Sequence, residues 1–140
     1  MTGKAFLDTN ILVYAIESRG PDRAKAAAAR ELLRGRGVCL STQVLGEFYR
    51  VVTSARRASP LSHEEAVSWV QLWKRHEVRP VDLATVDLAL AIALRFQVGY
   101  YDAQILAAAQ LAGCGTVYSE DLSSGQDYGG VRVLDPFAAR

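Results

Sequence analysis

Short apolar runs alternate with helix-forming segments along the whole of this 140-residue chain, and that alternation restricts its fold more than any other feature. The runs around Phe6, Cys39, Val78, Val117 and Val133 have the length of strands. Strands joined through helical segments need crossover connections. Crossovers give a mainly parallel sheet with helices on both faces. We therefore expect an α/β fold with a central sheet of about five strands. The length and the 50% hydrophobic content suit a single domain over residues 1–140.

The stretch Lys4 to Ala15, KAFLDTNILVYA, sets the pattern. A strand over Ala5–Leu7 ends in Asp8, and Asp8-Thr9-Asn10 opens an apolar-periodic helix. The carboxyl ends of strands are where open α/β sheets bind ligands. Asp, Thr and Asn are also good helix caps, so Asp8 alone is open to either reading. Asp22 to Arg34 is Ala-rich and helix-forming, and Gly35 and Gly37 end it. Residues 37–41 form a continuous apolar run, as in a strand buried on both faces. Ser41 or Thr42 caps a helix reaching about Ser54, with Val44, Leu45, Phe48, Val51 and Val52 as its apolar stripe. Glu47 falls about 40° outside that stripe, at the edge of the core. Ser62 and Glu65 make a capping box for the next helix. That helix buries Ala66, Val67, Val70 and Trp73 and ends near His76, with His63 and His76 at its ends. A third strand spans residues 77–81, and Pro80 puts it at an edge or a strand end. Helices over residues 85–97 and 101–112 follow, the second apolar almost all round with Asp102 in its first turn. Gly113-Cys114-Gly115 makes a turn into the strand Thr116–Ser119. A Gly-rich loop then leads to a last strand, Val131–Leu134.

The apolar runs are too short to span a bilayer, and the chain enters its first strand with no room for a signal peptide. Cys39 and Cys114 lack metal-site spacing, so we expect a cytoplasmic protein without a disulfide. The net charge is +1, but it is unevenly spread. Met1–Arg57 holds ten Lys/Arg against five Asp/Glu, and Ala58–Arg140 six against ten. Arg19, Arg23, Lys25, Arg30, Arg34 and Arg36 crowd one segment, and Arg50, Arg56 and Arg57 another. This fits a surface that steers a polyanion, and equally an ordinary solvated helix face.

The parallel topology brings four carboxylates to one rim. Asp8 and Asp121 follow strand ends, and Glu47 lies in the second turn of a helix leaving such an end. Asp102 starts a helix that runs antiparallel to the fourth strand. Two carboxylates about 5 Å apart repel by roughly 3 kcal/mol at an effective dielectric of 20. Such a cluster therefore needs protons or a cation. Oxygen ligands without His or Cys suit magnesium or manganese. Those ions activate water and stabilise the leaving oxygen in phosphodiester hydrolysis.

Four segments carry a resemblance: FLDTNILVYA, LSTQVLGEFYRVVT from Leu40, YYDAQILAAAQLAGC from Tyr100 and VYSEDLSSGQDYGGVRVLDPF from Val117. Together they resemble the PIN-domain ribonucleases, specifically the VapC-type toxins of bacterial toxin–antitoxin pairs, in the family's order and over nearly the whole chain. The resemblance implies a PIN-like fold and a magnesium- or manganese-dependent endoribonuclease acting on RNA. It makes Asp8, Glu47, Asp102 and Asp121 the metal-binding and catalytic acids. Asn10 and Ser119 would support them by hydrogen bonding, and Thr9 would form part of the turn. The family usually has Thr where this chain has Ser119, and Glu120 and Asp127 are additional acids nearby. It further implies a homodimer and an antitoxin partner. We expect one of these to cover the apolar region of Tyr49, Val52, Leu61, Trp69 and Trp73. Three other readings are a stand-alone RNA-processing PIN nuclease, a non-catalytic PIN-like binding module and a phosphatase of the haloacid dehalogenase type. The last wants an Asp where this chain has Asn10.

Overall fold

Each apolar run expected to be a strand pairs into one sheet. The computed structural model describes residues 3–18 and 20–138, so Arg19 of the basic cluster lies outside the described residues. The strands are β1 (Lys4–Leu7), β2 (Val38–Ser41), β3 (Glu77–Arg79), β4 (Cys114–Tyr118) and β5 (Arg132–Leu134). All neighbours are parallel, in the order β3-β2-β1-β4-β5. The short β3, with Pro80 just beyond it, is an edge strand as its proline requires.

Six helices flank the sheet: α1 (Thr9–Ala15), α2 (Arg23–Arg34), α3 (Thr42–Val52), α4 (His63–Trp73), α5 (Leu83–Phe96) and α6 (Tyr100–Leu111). Their starts follow local capping chemistry. Ser41 Oγ accepts from Val44 N–H, and Ser62 and Glu65 form the full capping box. Asp82 accepts from Thr85 N–H, which starts α5 at Leu83, two residues earlier than the apolar period suggests. α1 packs on α2 and α3, α3 on α4, and α5 on α6. α6 lies against β2 and β4 with residues 103–109 buried without a break, four of them alanines that let helix and sheet approach closely. Gly113, at φ +79°, reverses the chain after α6. Cys114 opens β4 and is buried, not part of the turn that its flanking glycines suggest. Both cysteines are free thiols.

The apolar surplus around α4 is placed differently from the sequence expectation. Val52 and Trp73 are core residues, with Trp73 edge-on to Phe48 and stacked on Trp69. Only Tyr49, Leu61 and Trp69 remain half-buried. The most exposed leucines lie elsewhere, on α5, where Leu83, Leu90 and Leu94 are 81%, 56% and 76% exposed. Spacings of seven and four residues put the three on one stripe. Among the described residues no single helix is long and apolar enough to cross a membrane.

The strand order positions the site. From β1 the chain adds β2 and then β3 on one side, and later β4 and β5 on the other. The crevice beyond the carboxyl ends of β1 and β4 is thus the point where the winding reverses, which is where α/β sheets bind ligands. Asp8 follows β1 there, and Ser119 to Asp121 follow β4.

Candidate functional site

A cleft of about 360 Å³ opens at this reversal point, and Asp8, Glu47, Asp102 and Asp121 all line it. Thr9 and Asn10 line it too, while Ser119 is fully buried behind Asp8.

Asp8 is held from two sides. Its Oδ1 accepts from the Thr9 N–H at 2.7 Å, and its Oδ2 accepts from the Ser119 hydroxyl at 2.8 Å. The same Ser119 Oγ accepts from the N–H groups of Asp121 (3.1 Å) and Leu122 (3.4 Å), which ties the end of β1 to the loop after β4. Asn10 bridges the same gap: its amide donates to Asp121 Oδ2 at 3.1 Å, and its Oδ1 accepts from the Glu120 N–H. Thr9 does more than form the turn. Its hydroxyl donates to Glu47 Oε1 at 3.0 Å, fixing α3 to α1. Asp102 has no such partner among the described residues and stands on the exposed rim at the start of α6.

These positions are electrostatically costly. Burial pushes the Asp8 carboxyl up to about 6, and the charges of Asp121 and Glu47 add to it. The Ser119 and Thr9 hydrogen bonds oppose the rise without cancelling it. Asp102 is also raised, first by partial burial and then by the Asp121 charge. No Lys or Arg forms an ion pair with any of the four acids among the described residues. Among the described residues, as the side chains stand, no three acids close on one point tightly enough to enclose an ion. The donor set of hard oxygens and the unpaired buried charge nevertheless have the chemistry that a divalent cation satisfies.

A family model for the PIN domain matches residues 5–123. The chain belongs to the PIN-domain family.

Solved structures share its fold. A toxin–antitoxin complex from Klebsiella pneumoniae is 18% identical with a TM-score of 0.70, covering 97% of this chain and 100% of that one. VapC20 of Mycobacterium tuberculosis, described as a sarcin–ricin loop cleaving toxin, is 22% identical with a TM-score of 0.66, covering 84% and 90%. DNA-bound VapBC from Salmonella typhimurium is 24% identical with a TM-score of 0.68, covering 96% and 99%. No curated protein matches the chain by sequence at a significant level.

The two additional acids of this PIN domain have other work. Asp127 Oδ1 accepts from the Gly130 N–H and shapes the loop before β5. Glu120 accepts from Lys25 Nζ and, at 2.7 Å, from the Tyr14 hydroxyl, joining the β4 end to α1 and α2. Burial alone would raise the Glu120 carboxyl, but Lys25 and Tyr14 outweigh it and hold it below the usual range. A lowered carboxyl stabilises the fold above its unfolded pKa and loses that effect as pH falls through the folded value. Glu120→Gln should therefore cost no more than about 1 kcal/mol at pH 7, because the pair is part-exposed. The cost should shrink as the pH falls below the unfolded glutamate value and Glu120 takes up its proton. Urea unfolding across a series of acidic pH values and at pH 7 checks this.

Sequence reasoning missed other cleft residues, namely Tyr14, Glu17, Asp22, Gln43 and Tyr101, whereas Arg50 comes from one of the two basic segments it singled out. Gln43 and Gln104 belong to one chain of bonds: Tyr100 OH donates to Gln104 Oε1, Gln104 Nε2 to Gln43 Oε1, and Gln43 Nε2 to the Tyr101 carbonyl. It pins the first turn of α6, with Asp102, against the start of α3. Gln104, the one polar residue in the apolar run Ala103–Ala109, was the available signal.

Proposed function

We propose that this PIN domain is a divalent-metal-dependent endoribonuclease and the toxin of a type II toxin–antitoxin pair. The observation that carries the reading is a cleft whose lining includes Asp8, Glu47, Asp102 and Asp121, with Asp8 buried and none of these four in an ion pair among the described residues. Asp8, Glu47, Asp102 and Asp121 are the residues that would hold magnesium or manganese. Such an ion, when bound, lowers the pKa of water and offsets the charge that builds on phosphate and leaving-group oxygens.

The chain's own contribution is positioning. Ser119 and the Thr9 N–H orient Asp8, the Thr9 hydroxyl orients Glu47, and Asn10 orients Asp121. Holding the acids before substrate arrives avoids reorganisation during the reaction. The toxin assignment is supported by solved structures of the same fold, one described as a toxin–antitoxin complex and another as a toxin. A homodimer is the further reading, and the exposed leucine stripe on α5 is the apolar surface that supports it. We place the protein in the cytoplasm, with an antitoxin as partner and RNA as substrate.

The test is incubation of the pure protein with single-stranded RNA and with duplex DNA, each in magnesium, in manganese and in EDTA. RNA should be cut only with a divalent ion, and duplex DNA little. Equal cutting of both, or no cutting of RNA with either ion, would contradict the reading. Light scattering, with and without the product of the adjacent reading frame, tests the dimer and the antitoxin. A monomer that ignores that product would remove both.

A further inference from the structure

Besides its acids the cleft carries two groups that an ion site does not need. Arg50, one turn beyond Glu47 on α3, is the only Lys or Arg lining it among the described residues. Most other basic side chains of this half are engaged. Lys25 pairs with Glu120, Arg34 with Glu31 and Arg57 with Glu17, and Arg30 donates to the carbonyls of Ala15 and Glu17. Among the described residues Arg50 makes no ion pair despite the acids around it.

The second group is Tyr101, the residue before Asp102. Its backbone is pinned by Gln43 at 3.2 Å, and its ring meets Tyr100 at 5.2 Å between centroids and 79° between planes. Even so, Tyr101 is 66% exposed. Leu83 and Leu94 are more exposed, but neither lines the cleft, so it is the combination of exposure and place that sets Tyr101 apart. Fixed in backbone and braced by one neighbour, the ring offers a flat apolar surface at little cost in side-chain entropy.

We infer that the cleft holds a single RNA strand by two contacts outside its acids: a phosphate on the Arg50 guanidinium and an unpaired base stacked on the Tyr101 ring. The inference rests on the nuclease reading above and adds how the strand is held. An acidic cleft repels a polyanion, and a guanidinium at its wall offsets that repulsion where a phosphate must sit. Stacking on an aromatic ring tolerates any base, because every base has a π-face. A base inside a duplex is stacked already, so the two contacts together select unpaired segments.

The test is fluorescence anisotropy of a labelled oligouridylate and of the same strand carrying abasic residues, on the full chain in EDTA at low salt. A parallel assay follows cleavage in magnesium. The wild type should bind the intact strand roughly tenfold more tightly than the abasic one. Tyr101→Ala should erase that difference and Tyr101→Phe should keep it. Arg50→Ala should weaken both strands alike and reduce the slope of log affinity against log salt by roughly 0.7, the share of one phosphate. Both side chains are exposed, and circular dichroism checks that each variant is folded. A wild type that does not distinguish the strands, or a Tyr101→Ala variant that still does, overturns the base contact. An unchanged salt slope in Arg50→Ala overturns the phosphate contact. Discrimination without cleavage in magnesium supports the strand contacts and sinks the nuclease reading, whereas cleavage without discrimination does the reverse.

Discussion

Asp8→Asn should yield a protein that melts higher than the wild type at neutral pH in EDTA and no longer cuts RNA. The sign follows from burial. The Asp8 carboxyl is raised from 3.8 to about 6 in the fold, so the folded state binds its proton more tightly than the unfolded chain does. Its favourable share of stability is complete below the unfolded pKa and is lost as pH rises through the folded value. At 1.36 kcal/mol per pH unit, ionised Asp8 costs the metal-free fold roughly 3 kcal/mol at pH 7. An amide carries no charge to desolvate and still accepts from the Thr9 N–H. The variant should gain several degrees in melting temperature at pH 7 and almost nothing at pH 4. Capping alone predicts otherwise, since Asn caps a helix about as well as Asp and neither pH nor magnesium would matter. Magnesium, by binding the native state, should stabilise the wild type and not the variant. Thermal melts at pH 4 and pH 7, with EDTA and with magnesium, read all of this.

Ser119→Ala should be the most damaging change of a single oxygen in the protein. The Ser119 side chain is fully buried and serves Asp8 Oδ2, the Asp121 N–H and the Leu122 N–H at once. Removing it strands a carboxylate oxygen and two backbone donors, each costing about 1–3 kcal/mol when left unpaired out of water. We expect a loss of at least about 3 kcal/mol in urea unfolding at pH 7. The variant should also show a steeper fall in stability with rising pH, because the Ser119 bond is the main force holding the Asp8 carboxyl down. That second signature separates loss of the hydroxyl from a simple cavity, which would not respond to pH. Ser119→Thr keeps the hydroxyl and should restore both stability and pH response.

How much of this could be read from the residues depended on the range of the interaction. β1 ending in Asp8, the Ser41 cap, the Ser62–Glu65 box and Asp102 in the first turn of α6 are all local. The Asp8, Ser41 and Ser62–Glu65 bonds join side chain to backbone within a turn, Asp102 needs only its place at a helix start, and all follow from the order of residues. The shared rim of the four acids followed from parallel topology alone. The bonds that orient those acids were not legible. Thr9 to Glu47 spans 38 residues and Asn10 to Asp121 spans 111, and no local pattern marks either pair. Glu120 adjoins Asp121, yet it turns to Lys25 and Tyr14, a choice set by how α2 packs. The face of α5 shows the same limit. Its leucines recur too densely for periodicity to show which of them stay outside, and packing against α6 decides it.

The central claim is that Asp8, Glu47, Asp102 and Asp121 together hold a divalent ion. Manganese titration at pH 7, followed by the electron paramagnetic resonance signal of free ion, tests it most directly because it needs no substrate. The wild type should remove manganese from solution with a defined stoichiometry. Asp102→Asn and Asp121→Asn should each weaken that uptake at least tenfold while remaining folded by circular dichroism. A wild type that takes up no manganese, or variants that take it up as well as the wild type, would contradict the assignment.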